Sequence, residues 1–251
     1  MTRISGISSA YTDYGKIASG NRLQSAADGA AELAIAKKLE TQITVQDVGA
    51  SNIKQATGLA NIADGALGGV QDYLGRIHEL SLRAMNGLMS DSDKSAIQDE
   101  IDQMKQGIEQ LAGSTKYNET HVLNGSSLNI NVASGNGNMS ISGADSTLEA
   151  LGLEDFSIMG DFDLKQVEDA MAKVSSMRST IGAQTNALES AYNYATSTSV
   201  NTTAAQSRIE DLDLPQAISD MKKQQTLQQY AMNMQKKQME HETNMMKKFF
   251  I

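Results

Sequence analysis

The side chains that most often do chemistry are few in this sequence. Three histidines occur, at His78, His121 and His241, and there is no cysteine. Thiol catalysis, thiolate metal sites and a disulfide framework are therefore excluded. His78-Glu79 begins like the zinc-protease pattern, which places a second histidine on the same helix face four residues on, where two imidazoles can grip one ion. That position is Leu82, so the ligand set is incomplete. His121 stands in a loop-like stretch and His241 in a polar tail, neither with a useful neighbour. The acidic pairs Asp99-Glu100 and Glu154-Asp155 have the character of ordinary surface charges. The sequence GNGN at 135–138 has turn chemistry and lacks the lysine and the following helix of a phosphate loop. No catalytic, cofactor-binding or metal site is expected, and no cofactor.

The elements that would have to position a site are long helices. Ile4, Ile7, Tyr11, Tyr14 and Ile17 recur at intervals of three and four, an amphipathic stripe. Glycines interrupt it over 19–39, where strong helix formers then resume. Ile53, Ala56, Ala60, Ala63, Leu67, Val70, Leu74, Ile77, Leu80 and Ala84 hold the same spacing for about eight turns, a coiled-coil seam. Asn86-Gly87 ends that helix, Ser90-Asp91-Ser92-Asp93 offers N-caps for the next, and Ile97, Ile101, Met104, Ile108 and Leu111 continue it. Two long helices with a short polar loop make an antiparallel hairpin.

The character changes between 113 and 163. SSLNINVAS and NMSISGA alternate apolar and polar residues around GNGN, a β-hairpin pattern, and LEALGLEDF adds a short turn. Helical spacing returns at Val167, Ala170, Val174, Met177, Ile181, Leu188, Ala191 and Ala195. Residues 196–206 are rich in β-branched and hydroxyl side chains and stand open between weak helix and break. Asp213-Leu214-Pro215 suits a helix start, and the Met-, Gln- and Lys-rich tail offers Ile218, Met221, Leu227, Tyr230, Met234 and Met239 for a face. The expected fold is mainly α: an elongated antiparallel helical rod in which the two ends of the chain return to each other, with a small β-hairpin region in the middle.

Composition agrees with a long seam. The 251 residues include no Trp, four Phe and one Pro, so the aromatic side chains that usually dominate cores and pockets are scarce. The net charge of −9 excludes a nucleic-acid partner, which needs a basic face. Residues 1–30 carry three basic groups against two acidic, and 212–251 carry six lysines against four acids, so the excess of negative charge lies between the ends. No apolar run approaches the ~20 residues that span a bilayer, so membrane insertion is not expected. The start, MTRISGISSAYTDYGK, has no apolar h-region and is not expected to be a cleaved leader.

Several segments, in order and at both ends, resemble the bacterial flagellins: ASGNRLQSAADGAAELAIAKKL at 18–39, LGRIHELSLRAMNG at 74–87, IQDEIDQ at 97–103, TKYNETHVLNG at 115–125, IGAQTNALESA at 181–191 and SRIED at 207–211. LNINV at 128–132 and LGLEDF at 151–156 fit the family's small β region. The resemblance implies a homopolymeric subunit of the extracellular flagellar filament, exported unfolded by the flagellar export apparatus after a chaperone has held its C-terminal segment. On that reading 1–28 and 212–251 are the two segments of a filament-core coiled coil, 29–125 and 164–211 the halves of a helical rod domain, and 126–163 the β region, with no outer domain. Ile4, Ile7, Tyr11, Ile218, Met221, Leu227 and Tyr230 would serve terminal assembly, and Leu67, Val70, Leu74, Ile77, Ile97, Ile101, Val174, Ile181 and Leu188 the packing seam. Arg76, Leu80 and Glu100 match the family's contact motif for Toll-like receptor 5, while as bare residues they are two surface charges and a packing leucine. The shortened N-terminal stretch and the Lys-, Met- and Phe-containing tail leave a second reading open, a minor or non-polymerising relative such as a hook–filament junction protein or a secreted factor.

Overall fold

The structure, a computed structural model, describes residues 14–86, 88–133 and 137–249. It is mainly helical, and the chain divides into two compact units: one of residues 43–199, the other of the described parts of 1–42 and 200–251. In chain order the elements are α1 (Ala26–Ala84), α2 (Asp91–Ser114), β1 (Lys116–Tyr117), β2 (Thr120–His121), β3 (Leu128–Ala133), β4 (Gly137–Ile141), α3 (Leu148–Leu151), α4 (Lys165–Glu210) and α5 (Leu214–Phe249).

In unit 43–199 three helices pack lengthwise. Ser199 donates to Asp47 at 2.7 Å, Lys54 sits over the Tyr192 ring at 5.0 Å, Arg178 donates to Asp64 and Gln71, and His78 faces Glu168 at 3.6 Å. Residue numbers rise along α1 as they fall along α4, so the two are antiparallel. Helix α2 is antiparallel to α1 as well. Arg76 meets Glu100, and Gly107 lies so close to the Tyr73 ring that a Cβ would sit 3.0 Å from it. The ten seam residues from Ile53 to Ala84 are all buried, together with Ile97, Ile101 and Ile108 of α2 and Val167, Ala170, Val174, Ile181, Leu188 and Ala195 of α4. They form one apolar cluster. A stripe repeated at three and four keeps one face of each helix turned inward, and that burial supplies most of the stability a long helix needs.

The ends of α2 follow local chemistry. Ser90 Oγ accepts from the Asp93 amide and the Asp93 carboxylate accepts from the Ser90 amide, a capping box that satisfies two orphan donors. The Ser90 hydroxyl, which donates to that carboxylate at 2.7 Å, and then the Ser90 amide hold the Asp93 carboxyl below its ordinary range. Thr115 stops the helix, its amide and hydroxyl both donating to the Leu111 carbonyl.

Residues 115–163 are built into this core. β1 and β2 form a minimal hairpin whose turn residues, Asn118 and Glu119, both have positive φ (46° and 67°). His121, placed in a loop by the sequence, is therefore a strand residue. β3 and β4 form the expected antiparallel hairpin, Leu128 opposite Ile141 and Ala133 opposite Gly137, with an irregularity between Asn131 and Ala133. Val122, Leu123, Ile141, Ala144, Leu151, Leu153, Phe156 and Ile158 from this stretch join the helical cluster. Gly143 allows the chain to fold back, because a Cβ there would lie 2.2 Å from the Ser126 carbonyl oxygen.

Residues 196–206, open on sequence, are helical throughout within α4. Ala195 and Ser199 are buried and the Ser199 hydroxyl bonds Asp47, so packing decides for helix where propensity is neutral. In the other unit, residues 14–19 are helical, a break follows, and α1 starts at Ala26 with a non-helical residue at Gly29. Asp213 caps α5: the Gln216 amide donates to its carboxylate and the Ala217 amide to its carbonyl. Pro215 sits in the first turn, where its missing donor costs nothing.

Candidate assembly surfaces

Among the described residues no three metal-ligating side chains gather in one place. His78 is half-buried beside Glu168, His121 lies in β2 and His241 is exposed on α5. No described helix is long and apolar enough to cross a membrane. What the folded chain offers is surface.

The nine seam residues, Leu67, Val70, Leu74, Ile77, Ile97, Ile101, Val174, Ile181 and Leu188, are all buried in unit 43–199. Arg76 and Glu100 are joined: the Arg76 Nε and Nη2 donate to Glu100 Oε1 at 2.9 and 2.7 Å, and Nη1 donates to Glu79 at 2.8 Å. The two carboxylates hold the Arg76 guanidinium above its ordinary pKa, Glu100 first. Both partners keep more than a third of their side-chain surface, so the pair stabilises little and presents its charge to solvent. Leu80 differs from them in exposure. It is fully buried, on the face of α1 that lines the core.

The terminal unit has the opposite character. Ile4, Ile7 and Tyr11 lie outside the described residues. Among the described residues of this unit only Leu23 and Ala36 are buried. Met221 is half-buried and shares a groove of about 380 Å³ with Lys16, Ile17 and Arg22. Ile218, Leu227 and Tyr230 are exposed, the last two at 57 % and 68 %, and Met232, Met234, Met239, Met245 and Met246 are all more than half exposed. No side chain described on α5 is buried. A helix that carries apolar side chains along its whole length and buries none of them has unpartnered apolar surface.

One polar cluster went unseen from sequence. The Arg22 amide donates to the Glu210 carbonyl at 2.7 Å and the Leu212 amide to the Gly20 carbonyl at 2.8 Å. The Arg22 guanidinium donates to the Ile209 carbonyl at 2.7 Å and to Glu32, and the Asn21 amide group donates to Glu210. Asp28 holds the N-terminal half of this knot. Its carboxylate accepts from Lys16 Nζ at 2.5 Å, from the Ser25 hydroxyl and amide and from the Gln24 amide. Those donors, Lys16 foremost, hold its pKa far below the ordinary carboxylate range. The segments 18–39 and 207–211, distant in sequence, are thus two sides of one contact. The only sequence signal was that both resembled the same family.

The sequence comparisons match both ends of the chain. Residues 3–128 match the bacterial flagellin N-terminal helical region and residues 164–245 the bacterial flagellin C-terminal helical region. The chain is 30 % identical to the flagellar filament 30.7 kDa core protein of Treponema maltophilum, over 87 % of this chain and 85 % of that one. It is 29 % identical to the flagellin of Bacillus subtilis, over 91 % and 89 %. Among solved structures, the flagellin of Bacillus cereus superposes with a TM-score of 0.52 at 25 % identity, covering 62 % of this chain and 94 % of that one. With both helical regions matched in order and relatives aligned over most of their length, the chain belongs to the bacterial flagellin family.

Proposed function

We propose that this flagellin is a structural subunit of the extracellular flagellar filament, acting by self-association and not by catalysis. The observation that carries the reading is α5, whose large apolar side chains, half-buried Met221 apart, are exposed from Ile218 to Met246. Packing against a neighbouring copy would remove that surface from water, a non-directional driving force proportional to the apolar area covered. The filament-core role carried in the name of the Treponema relative is in keeping with this assignment.

On this reading residues 1–28 and 212–251 form the filament core. Residues 29–125 and 164–211 form the laterally packing helical domain, and 126–163 its β region. Ile218, Met221, Leu227 and Tyr230 serve subunit contact. The knot of Arg22, Asp28 and Glu210 ties the start of the chain to the end of α4. The flagellar export apparatus passes the chain unfolded, and a chaperone covers α5 beforehand. Recognition by Toll-like receptor 5 would use the exposed Arg76–Glu100 pair. Leu80 would support that surface from below.

Electron microscopy of purified protein after removal of denaturant, with and without short flagellar seeds, tests the proposal. Smooth filaments are the expected result. Monomers that persist even with seeds would overturn it in favour of a non-polymerising relative.

A further inference from the structure

The chain has no cysteine and no tryptophan but 14 methionines. Its entire sulfur content is thioether, and two-electron oxidants that usually spend themselves on thiols find only methionine here. These residues are unevenly placed. Six of the 14 lie in α5, and five of those, Met232, Met234, Met239, Met245 and Met246, are between 51 % and 62 % exposed. In unit 43–199 Met104, Met171 and Met177 are packed against the apolar core, while Met85 and Met159 are exposed. At 100° per residue, Met232, Met239 and Met246 fall on the side of α5 that also carries Leu214, Ile218 and Met221. Gln225 lies on that side too, and its side-chain amide bonds the Tyr14 hydroxyl of the N-terminal segment. Met234 and Met245 fall with Leu227 on the other side. Methionine therefore supplies much of the apolar surface on both faces of the helix.

We propose that the thioethers of Met232, Met234, Met239, Met245 and Met246 form an oxidation-sensitive modification site, at which conversion to sulfoxide stops self-association. The second half rests on the filament reading above. The chemistry is an oxygen transfer from a peroxide. The sulfur lone pair attacks one peroxide oxygen, an S–O bond forms, the O–O bond breaks, and the proton of the transferred oxygen passes to the departing hydroxide, which leaves as water. The sulfur is oxidised to the sulfoxide and the peroxide is reduced. The product keeps the length of the side chain but replaces an apolar, adaptable thioether with a polar, chiral group. A subunit contact that covered it would bury an acceptor without a donor. Once the faces are covered in a polymer the same sulfurs are shielded, so the site acts on free subunits.

The test treats purified full-length protein with hydrogen peroxide, maps sulfoxides by peptide mass spectrometry and follows seeded assembly by light scattering and electron microscopy. A variant with all five methionines replaced by leucine, which keeps volume and apolarity, is treated in parallel. The expected result has three parts. Sulfoxides appear on the five α5 residues before Met104, Met171 and Met177; treated native protein loses assembly; and the five-leucine variant keeps it. Repair of treated native protein with methionine sulfoxide reductase restores filaments. Native protein that assembles with its α5 sulfoxides in place overturns the proposal. So does loss that reductase fails to reverse, or equal loss in the variant through exposed Met85 and Met159. Untreated native protein that never assembles is a different failure, that of the filament reading.

Discussion

Leu74→Ala probes the packing of α1 against its two neighbours. Leu74 is fully buried and sits midway along the stretch where both partners are present. The register of Arg76 with Glu100 and of His78 with Glu168 brings α2 and α4 to this level together. Truncation removes the transfer free energy of the lost atoms and leaves a void that helices fixed on two sides close poorly. A Leu→Ala change of this kind costs roughly 2–5 kcal/mol. For a domain of about 150–250 residues each kcal/mol moves the midpoint by about 2–4 °C. A loss of ~3 kcal/mol therefore lowers Tm by roughly 6–12 °C. Leu88→Ala is the control, since Leu88 is 93 % exposed and surface changes usually stay within about 0.5 kcal/mol. Thermal melts followed by circular dichroism give both numbers. Equal midpoints for the two variants would refute the assignment of this helix face. Leu74→Asp goes further by burying an unpaired carboxylate, and should unfold unit 43–199 at neutral pH.

Other consequences are as direct. Gly143→Ala should destabilise by about 1–3 kcal/mol, because its Cβ would lie 2.2 Å from a backbone oxygen that can yield only by moving the chain; an unchanged urea midpoint would contradict the turn. The donors around Asp28 depress its pKa in the folded chain, so its contribution to stability is present above its unfolded value near 3.8 and is lost only as pH falls through the lower folded value. In a carboxyl NMR titration of the native protein, Asp28 should remain ionised below that unfolded value, whereas in Lys16→Ala its inflection should move up toward it. Limited proteolysis of the monomer should remove α5, with six lysines and no buried side chain described, before it cuts unit 43–199. Survival of α5 after that unit is cleaved would reverse the order of stabilities assigned here.

The long helices were legible in the sequence because burial on one side of a helix leaves a period-3.6 trace, and α1 carries it without interruption from Ile53 to Ala84. The β3–β4 pairing was legible for the equivalent reason, a period of two in the sequence on either side of GNGN. The end of α4 was not. Its hydroxyl and β-branched residues are nearly indifferent locally, and Ser199 becomes helical because Asp47 and the surrounding core receive it. The minimal hairpin around Asn118 and Glu119 escaped too, since two residues per strand carry no period.

For the candidate surfaces the division is similar. Apolar residues on α5 could be counted in the sequence, but a count does not distinguish a helix buried in its own chain from one left uncovered. Leu80 was offered as a contact residue by the family resemblance and as a seam residue by its three/four spacing, and the fold buries it. The knot at Arg22, Asp28 and Glu210 lay furthest out of reach, because it joins side-chain and backbone groups nearly 190 residues apart. Side-chain pattern determined which faces must be buried; only the tertiary structure decided what each face meets, because hydrophobic burial is non-directional while hydrogen bonds and close packing depend on where the partner stands.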